Sequence, residues 1–228
     1  MQQIQLHDVG RIRYADALTL QEEFFNHLVE QKLAGISNEN QHHLILCEHF
    51  PVITVGKAGK DSNILLPETL LHEKGVDVFH INRGGDVTFH GFGQITGYPI
   101  LDLDFFTSDL KHYMWLLEEV MIQTISSYNI EGYRIDGATG VWVNSKIDKQ
   151  PKKIAAFGVK TSRWVTMHGF SLNVDVDLNY FNLINPCGFT DKGVTSIKEE
   201  TNADINIEEI KQLILKNFSK IFNISFYL

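Results

Sequence analysis

The chain switches between stretches with a helical period and short runs that alternate in twos. From residue 15 to 33, Ala17, Leu20, Phe24 and Leu28 recur at three- and four-residue steps, which predicts an amphipathic helix with that stripe facing a core. Two β-like runs follow at 42–48 and 52–55, divided by Pro51. Residues 67–73 predict a short helix, and 77–81, 87–90 and 94–102 predict strands separated by glycine-bearing turns. A longer helix is expected over 108–126, its buried side marked by Leu110, Met114, Leu117 and Met121. Segments 133–135, 140–143, 153–159 and 164–174 again read as strands, with the polar, lysine-rich stretch 144–151 as a mobile loop. The last helix, about 206–222, starts at Asn206 with Glu209 placed for a capping box, and carries Ile210, Leu213, Ile214 and Ile221. Helices and groups of strands do not alternate strictly. The order therefore predicts a mixed α+β domain, a mixed sheet with helices on one face, rather than a doubly wound parallel sheet.

At 228 residues the chain can bury about 70% of its unfolded surface, so one domain over 1–228 is expected. No apolar run approaches the roughly 20 residues that cross a bilayer, so no membrane partner is expected. The opening Met1-Gln2-Gln3-Ile4-Gln5-Leu6-His7-Asp8 has neither the basic nor the apolar part of a secretory leader, which points to the cytoplasm. Net charge is −8, from 20 basic and 28 acidic residues, and argues against nucleic acid as the main partner. Over 146–163 the balance reverses, with Lys146, Lys149, Lys152, Lys153, Lys160 and Arg163 against Asp148 alone. That segment reads as a solvated loop or as a docking patch for an acidic partner.

The two cysteines stand in different settings. Cys47 lies in the apolar run Leu44-Ile45-Leu46-Cys47, where a small buried residue is expected. Cys187 sits in Pro186-Cys187-Gly188, a loop stiff on one side and open to close approach on the other. A lysine folded against such a cysteine would favour the attacking thiolate. Locally, Arg83-Gly84-Gly85-Asp86 reads as a hairpin turn, while its donors would also suit a cavity wall. Gly91-Phe92-Gly93 is followed by extended, proline-bearing chain rather than a helix, so it is no dinucleotide loop. The segment 56–61 likewise lacks the length and the hydroxyl of a phosphate-binding loop. His43, Cys47 and His49 fall on one strand face without the four ligands of a closed zinc site, so no metal is expected. His90 and His168 each precede a glycine at the end of a β-like run, and are either packed histidines or members of one pocket.

Read in order, these segments resemble the lipoyl(octanoyl) transferases. The family pattern of Arg-Gly-Gly, Thr-x-His-Gly-Pro-Gly-Gln and Tyr-Pro-Ile is met by Arg83 to Gly85, Thr88 to Gln94 and Tyr98 to Ile100. Gly140 to Val143, Lys153 to Ala155, Gly158-Val159, His168-Gly169, Leu172-Asn173, Pro186 to Gly188 and Val194 to Ser196 continue the match, as do Glu48-His49 and Thr54 to Gly56 upstream. The likeness covers about 14–198. Phe92 stands where the family has proline, and 144–152 is longer than its usual connection.

The resemblance implies the catalytic fold shared with lipoate and biotin protein ligases. Cys187 would carry an octanoyl thioester, with Lys153 lowering its pKa and moving protons. Arg83, Gly84, Gly85, Asp86, Val87, Thr88, Phe89 and His90 would line the acyl site, together with Ala156, Phe157, Gly158, His168, Gly169, Phe170 and Ser171. The donor implied is octanoyl-acyl carrier protein; the acceptors are lipoyl domains of 2-oxoacid dehydrogenases and glycine cleavage H protein. The donor thioester is already activated, so neither ATP nor a cofactor is expected. Four other readings remain: an ATP-dependent ligase of the same fold, an octanoyl amidotransferase between lipoyl-bearing proteins, a cysteine hydrolase pairing Cys187 with His168 or His90, and a non-catalytic acyl-binding module.

Overall fold

The computed structural model describes residues 2–36, 41–185 and 193–228. Strand β1 (Gln2–Ile12) leads into helix α1 (Tyr14–Leu33), then β2 (His42–His49), β3 (Val52–Val55), α2 (Glu68–Glu73), β4 (Asp77–His80), β5 (Val87–His90) and β6 (Gln94–Ile100). Helix α3 (Leu110–Ser126) precedes β7 (Gly132–Ile135), β8 (Ala138–Asn144), β9 (Pro151–Ser162) and β10 (Val165–Asn173). Last come β11 (Gly193–Val194), α4 (Ile197–Thr201), α5 (Ile207–Phe222) and β12 (Ile224–Tyr227). Among the described residues the large sheet runs β12-β1-β2-β6-β10-β9-β8-β7, with β11 alongside β9, and a small sheet runs β4-β3-β5. β1 is parallel to both its neighbours, as β11 is to β9 and β4 to β3; the other pairs are antiparallel. The fold is mixed α+β.

Alternation along β2 explains the layers. Leu44 and Leu46 enter the main core with Ile95, Phe170 and Leu172, under Leu117 and Met121 of α3 and Ile214 and Phe218 of α5. Ile45 and Cys47 enter a second cluster, where Phe25 and Leu28 of α1 close over Ile100, Val165 and Met167. Both faces of the sheet are therefore covered, which corrects the expectation of helices on one face. A strand that is apolar at every position, as β2 is from Leu44 to Cys47, needs partners on both sides.

Helix starts follow from caps. Asp109 accepts the Lys111 and His112 N–H groups at 2.8 and 3.1 Å, and Asn206 accepts that of Glu208 at 3.0 Å. The buried stripes are rotated from those expected. α1 buries Tyr14, Ala17, Gln21, Phe25 and Leu28, leaving Leu20 and Phe24 at the margin. On α3, Leu110 is exposed and Tyr113 and Val120 take the interior; on α5, Phe218 and Phe222 displace Leu213 and Ile221. Gly84-Gly85 is not a hairpin turn, because β3 lies between β4 and β5. The stretch read as a mobile loop is the turn of the β8–β9 hairpin, closed by Ser145 N–H to Gln150 O at 3.0 Å and tied by Lys146 N–H to Glu200 at 2.9 Å. The basic segment is split by β9: Lys146 and Lys149 sit at one end and Arg163 at the other, eleven β-rises of about 3.3 Å or more away.

Candidate active site

Beyond the edge of α1, the second face of the large sheet meets the small sheet across a cavity of about 500 Å³, within the usual range for small-ligand pockets. β9 and β10 supply its floor. Their register pairs Ala155 with Leu172 and Phe157 with Phe170, whose side chains join or pack on the main core. The alternate pairs, Ala156 with Ser171 and Gly158 with Gly169, present small side chains or none to the cavity. The opposite wall comes from Arg83, Gly85, Asp86, Val87, Thr88 and His90. His168 and Phe170 also border the space.

Two of the residues expected to line an acyl site do not border this cavity. Gly84 instead joins the sheets, its N–H donating to Val159 O at 2.9 Å. A Cβ on Gly158 would come within 2.7 Å of Gly84 O, so only glycine allows this approach. Phe89 points to the far side of the small sheet, stacked on Tyr180 at 4.7 Å, because β5 alternates and Thr88 and His90 take the cavity side.

Lys153 reaches the cavity through a β-bulge. Trp142 pairs with Lys153 and the preceding Val141 with Ala155, so two residues of β9 are set against one step of β8. Ile154 and Ala155 consequently both face the main core. Strict alternation would have put Lys153 on the same side as Ala155; the bulge turns it to the side of Ala156 and Gly158. Its stem passes over Gly140, where a Cβ would lie 2.8 Å from Lys153 Cε, and its ammonium lies 4.8 Å from the Trp142 ring centre. Glu118 of α3 fixes this region by accepting the Gly140 N–H at 3.0 Å and pairing with Arg134 at 3.0 Å.

A chain of amides holds the inner wall. Gln94 Nε2 donates to Asn173 Oδ1 at 2.9 Å and to Phe89 O at 3.2 Å, so Gln94 Oε1 accepts from His90 Nδ1–H at 2.7 Å. That leaves His90 Nε2 as acceptor, facing the Thr54 hydroxyl at 3.5 Å. Asn173 in turn donates to Thr195 O at 2.9 Å. The Arg83 guanidinium donates to Thr54 O and Oγ1 at 2.8 and 2.9 Å and to Gly84 O at 3.0 Å, which pins the glycine pair. Burial, then the neighbouring His49 and Arg83, push His90 down to about 3 against the help of Gln94. Burial, Arg83 and Lys160 push His168 down to about 3 as well. Both rings are neutral at physiological pH, and His90, fully engaged by Gln94 and Thr54, is a wall rather than a base.

Cys187, with Pro186 and Gly188, lies outside the described residues. The described chain on either side is fastened at the cavity. Asn185 N–H donates to Asn63 O at 2.7 Å, and Asn63 Nδ2 holds the Asp86 carboxylate at 2.9 Å. Gly193 and Val194 pair with Lys152 and Lys153, border the cavity, and are followed by Thr195 N–H to Lys153 O at 3.0 Å. Cys47 is buried in the α1 cluster, and burial pushes its thiol far up. Its neighbour His49 is satisfied by Ile12 O at 3.1 Å and the Tyr98 hydroxyl at 2.6 Å, and among the described residues no cluster of His, Cys, Asp or Glu is able to hold a metal. Phe92 points outward, edge-on to Phe50 at 5.2 Å, while Gly93 N–H reaches Glu48 at 2.7 Å.

The model of the lipoyl protein ligase A/B catalytic domain matches residues 13–219. An octanoyltransferase of Parabacteroides distasonis is 52% identical over 222 residues, 97% of this chain and 100% of that protein. The chain belongs to this family. An octanoyltransferase of Flavobacterium psychrophilum is 46% identical, with 96% of this chain and 97% of that protein covered. Among solved structures, the bipartite lipoate protein ligase of Thermoplasma acidophilum, described with its E2 lipoyl domain, superposes with a TM-score of 0.74 at 13% identity, over 100% of this chain and 86% of that one. A biotin protein ligase of Aquifex aeolicus gives 0.55 at 13% identity, over 96% and 70%. The two structures establish the shared fold, and the close relatives make the chain an acyltransferase.

Within this lipoyl ligase A/B domain, Gln94, Asn173, Tyr14, Tyr98 and Trp142 border the cavity although they were not among the expected site residues. Gln94 and Asn173 stand inside matched motifs, and their amides, at the ends of strands rich in apolar residues, were a readable signal. Tyr98 and Trp142 also stand in matched motifs, but aromatic residues in such runs serve as core equally well, and Tyr14 gave no signal. Among the described residues no helix is long and apolar enough to cross a membrane.

Proposed function

We propose that the chain transfers an octanoyl group from octanoyl-acyl carrier protein, through a thioester on Cys187, to a lysine of lipoyl domains in 2-oxoacid dehydrogenases and glycine cleavage H protein. This is the first step of endogenous protein lipoylation. Octanoyl transfer rests on relatives up to 52% identical over nearly the whole chain. The carrying observation for the mechanism is the bulge that turns Lys153 into an acyl-sized cavity, at whose rim both described flanks of the Cys187 segment are fastened.

The Cys187 thiolate attacks the donor carbonyl, and the carrier thiol leaves with a proton from the Lys153 ammonium. One thioester replaces another, so the exchange is close to thermoneutral and needs no ATP. The acceptor amine then attacks the acyl-enzyme; an amide forms, Cys187 departs as thiolate, and the amine proton returns to Lys153. A free thiol with a pKa of ~8.5 is about 3% ionised at neutral pH, so thiolate formation alone gains at most about 30-fold. Lys153 therefore serves mainly in proton transfer. The small floor at Ala156, Gly158, Gly169 and Ser171 admits the alkyl chain. Lys146 and Lys149, at the same end of β9 as Lys153, serve as contacts for an acidic carrier. The reading takes 1–228 as one catalytic domain, since both sheets border the same cavity, and the cytoplasm as its compartment, where Cys187 stays reduced.

The test is transfer without ATP. Octanoyl-acyl carrier protein and an isolated lipoyl domain should yield an octanoylated acceptor lysine; a requirement for ATP and free octanoate would assign the chain to the ligases instead.

A further inference from the structure

Gln21 is the anomaly of the α1 interface. It lies on the buried stripe between Ala17 and Phe25 and is wholly inaccessible, where an apolar residue would leave no polar group to satisfy. Its Oε1 accepts the backbone N–H of His168 at 3.1 Å, across 147 positions of sequence.

The need for this bond arises in β6. Phe170 pairs with Gly97, and Val165 bridges Asp102 in the same register, which carried through sets His168 opposite Pro99. Proline brings no N–H to a central strand, and Pro99 O accepts the Thr166 hydroxyl at 2.8 Å rather than the His168 N–H, so the ladder fails here for donor and acceptor alike. His168 takes a left-handed conformation, φ 60°, which is uncommon for a residue with a side chain. Its ring borders the cavity at the α1 side with only 3% of the residue exposed. Neither His168 Nδ1 nor Gln21 Nε2 has a partner among the described residues. The imidazole thus has no side-chain bond to orient it there, and its position depends on the backbone that Gln21 holds. Lys153 and His168 mark opposite ends of the cavity's run along β9, since His168 pairs with Val159.

We infer that Gln21 is a positioning residue of the acyl site, which fixes His168 as the end wall of the cavity and thereby sets the length of acyl chain accepted. The inference rests on reading the cavity as an acyl site. An acyl group whose carbonyl lies at the Lys153 end extends toward the imidazole, and releasing the His168 N–H frees the ring to move aside.

The test compares kcat/KM for hexanoyl, octanoyl and decanoyl pantetheine thioesters, with a lipoyl domain as acceptor. Gln21→Leu should raise decanoyl relative to octanoyl by about tenfold, the scale on which a pocket weighs a methylene or two. The change should fall mainly on KM. Gln21→Glu, which keeps an acceptor oxygen, should restore the octanoyl preference. In a His168→Gly background, Gln21→Leu should add no further shift, because its effect runs through the imidazole. If Gln21→Leu does not fold, Gln21→Ser, too short to reach the His168 N–H, carries the same expectation. Calorimetric binding of octanoate and decanoate to the same variants separates the two readings: absent transfer with a shifted binding preference would count against the reaction alone. An unchanged length preference in the Gln21 variants, or an equal shift with and without the His168 ring, would overturn the role of Gln21.

Discussion

The two faces of the β9–β10 hairpin are made by the same strands and do opposite things. On one, Phe157, Phe170 and Leu172 interlock with α3 and α5. On the other, Ala156, Gly158, Gly169 and Ser171 leave a cavity that the fold does not fill. The packed face holds the sheet together through apolar burial and dispersion. The open face gives up that stabilisation in exchange for room, and gathers the buried neutral histidines and the bulge-directed lysine. Stability and activity are thereby assigned to alternate residues, and substitutions one position apart should fail in different ways.

Lys153→Ala should bring the largest change, lowering single-turnover transfer by about 10²- to 10⁴-fold, the usual range for a lost proton-transfer group. Lys152→Ala should stay near wild type, since Lys152 faces away and pairs with Asp148 at 2.9 Å. Equal losses in both would refute the bulge as the device that aims Lys153. Next, Leu172→Ala, in the main core and away from the cavity, should cost about 2–5 kcal/mol of stability in urea unfolding, with activity per folded molecule less affected. Ser171→Leu should do the reverse, cutting octanoyl kcat/KM by about 10- to 200-fold with a small shift in midpoint. If both substitutions struck the same property, the division between faces would be wrong.

A smaller effect should come from pH. His49, His90 and His168 are held at about 4, 3 and 3 in the fold, first by burial. Unfolded histidine titrates near 6.5, so the unfolded chain takes up protons that the native one refuses. Stability is fully present above about 6.5 and falls as pH drops toward 4, by about 1.4 kcal/mol per unit for each histidine. Urea midpoints measured across that window should decline on acidification; a flat profile would mean that these rings are protonated in the native state. The smallest effect is expected outside both faces. Reversing Lys146 and Lys149 to Glu should slow transfer from octanoyl-acyl carrier protein at low salt by about tenfold or less, in the encounter step. The rate with a small uncharged octanoyl thioester should not change, and equal sensitivity of both donors would make the hairpin turn an ordinary solvated loop.

What the sequence revealed and what it hid differ in physical range. β3 and β5 fall where alternation puts them, and α5 begins at the cap residue Asn206. The alternation of large and small residues in Ala156-Phe157-Gly158 and Gly169-Phe170-Ser171-Leu172 already carries the two faces. β1 and β12 were not legible: β1 is mostly polar, with Ile4 its one fully buried hydrophobic residue, and it pairs with strands some 40 and 220 positions away. The bulge at Ile154 and Ala155 breaks a period of two without changing a residue type. Gln21 carries no sequence signal of its own, because its partner is a backbone N–H in β10. Gly84-Gly85 has the composition of a hairpin turn, and only the insertion of β3 between its neighbours makes it a junction between the sheets, with Gly84 bonded to Val159 and Gly85 on the cavity.

The central claim is that the acyl group passes through Cys187 and not through the other thiol. Incubating the chain with octanoyl-acyl carrier protein, without acceptor, and mapping the product by peptide mass spectrometry tests it directly. The account predicts one octanoyl group on the peptide containing Cys187 and none on Cys47, which is wholly buried with its thiol pushed far above the usual range. An adduct on Cys47, or a chain that turns over donor and acceptor with no covalent acyl-enzyme at any time, would contradict it.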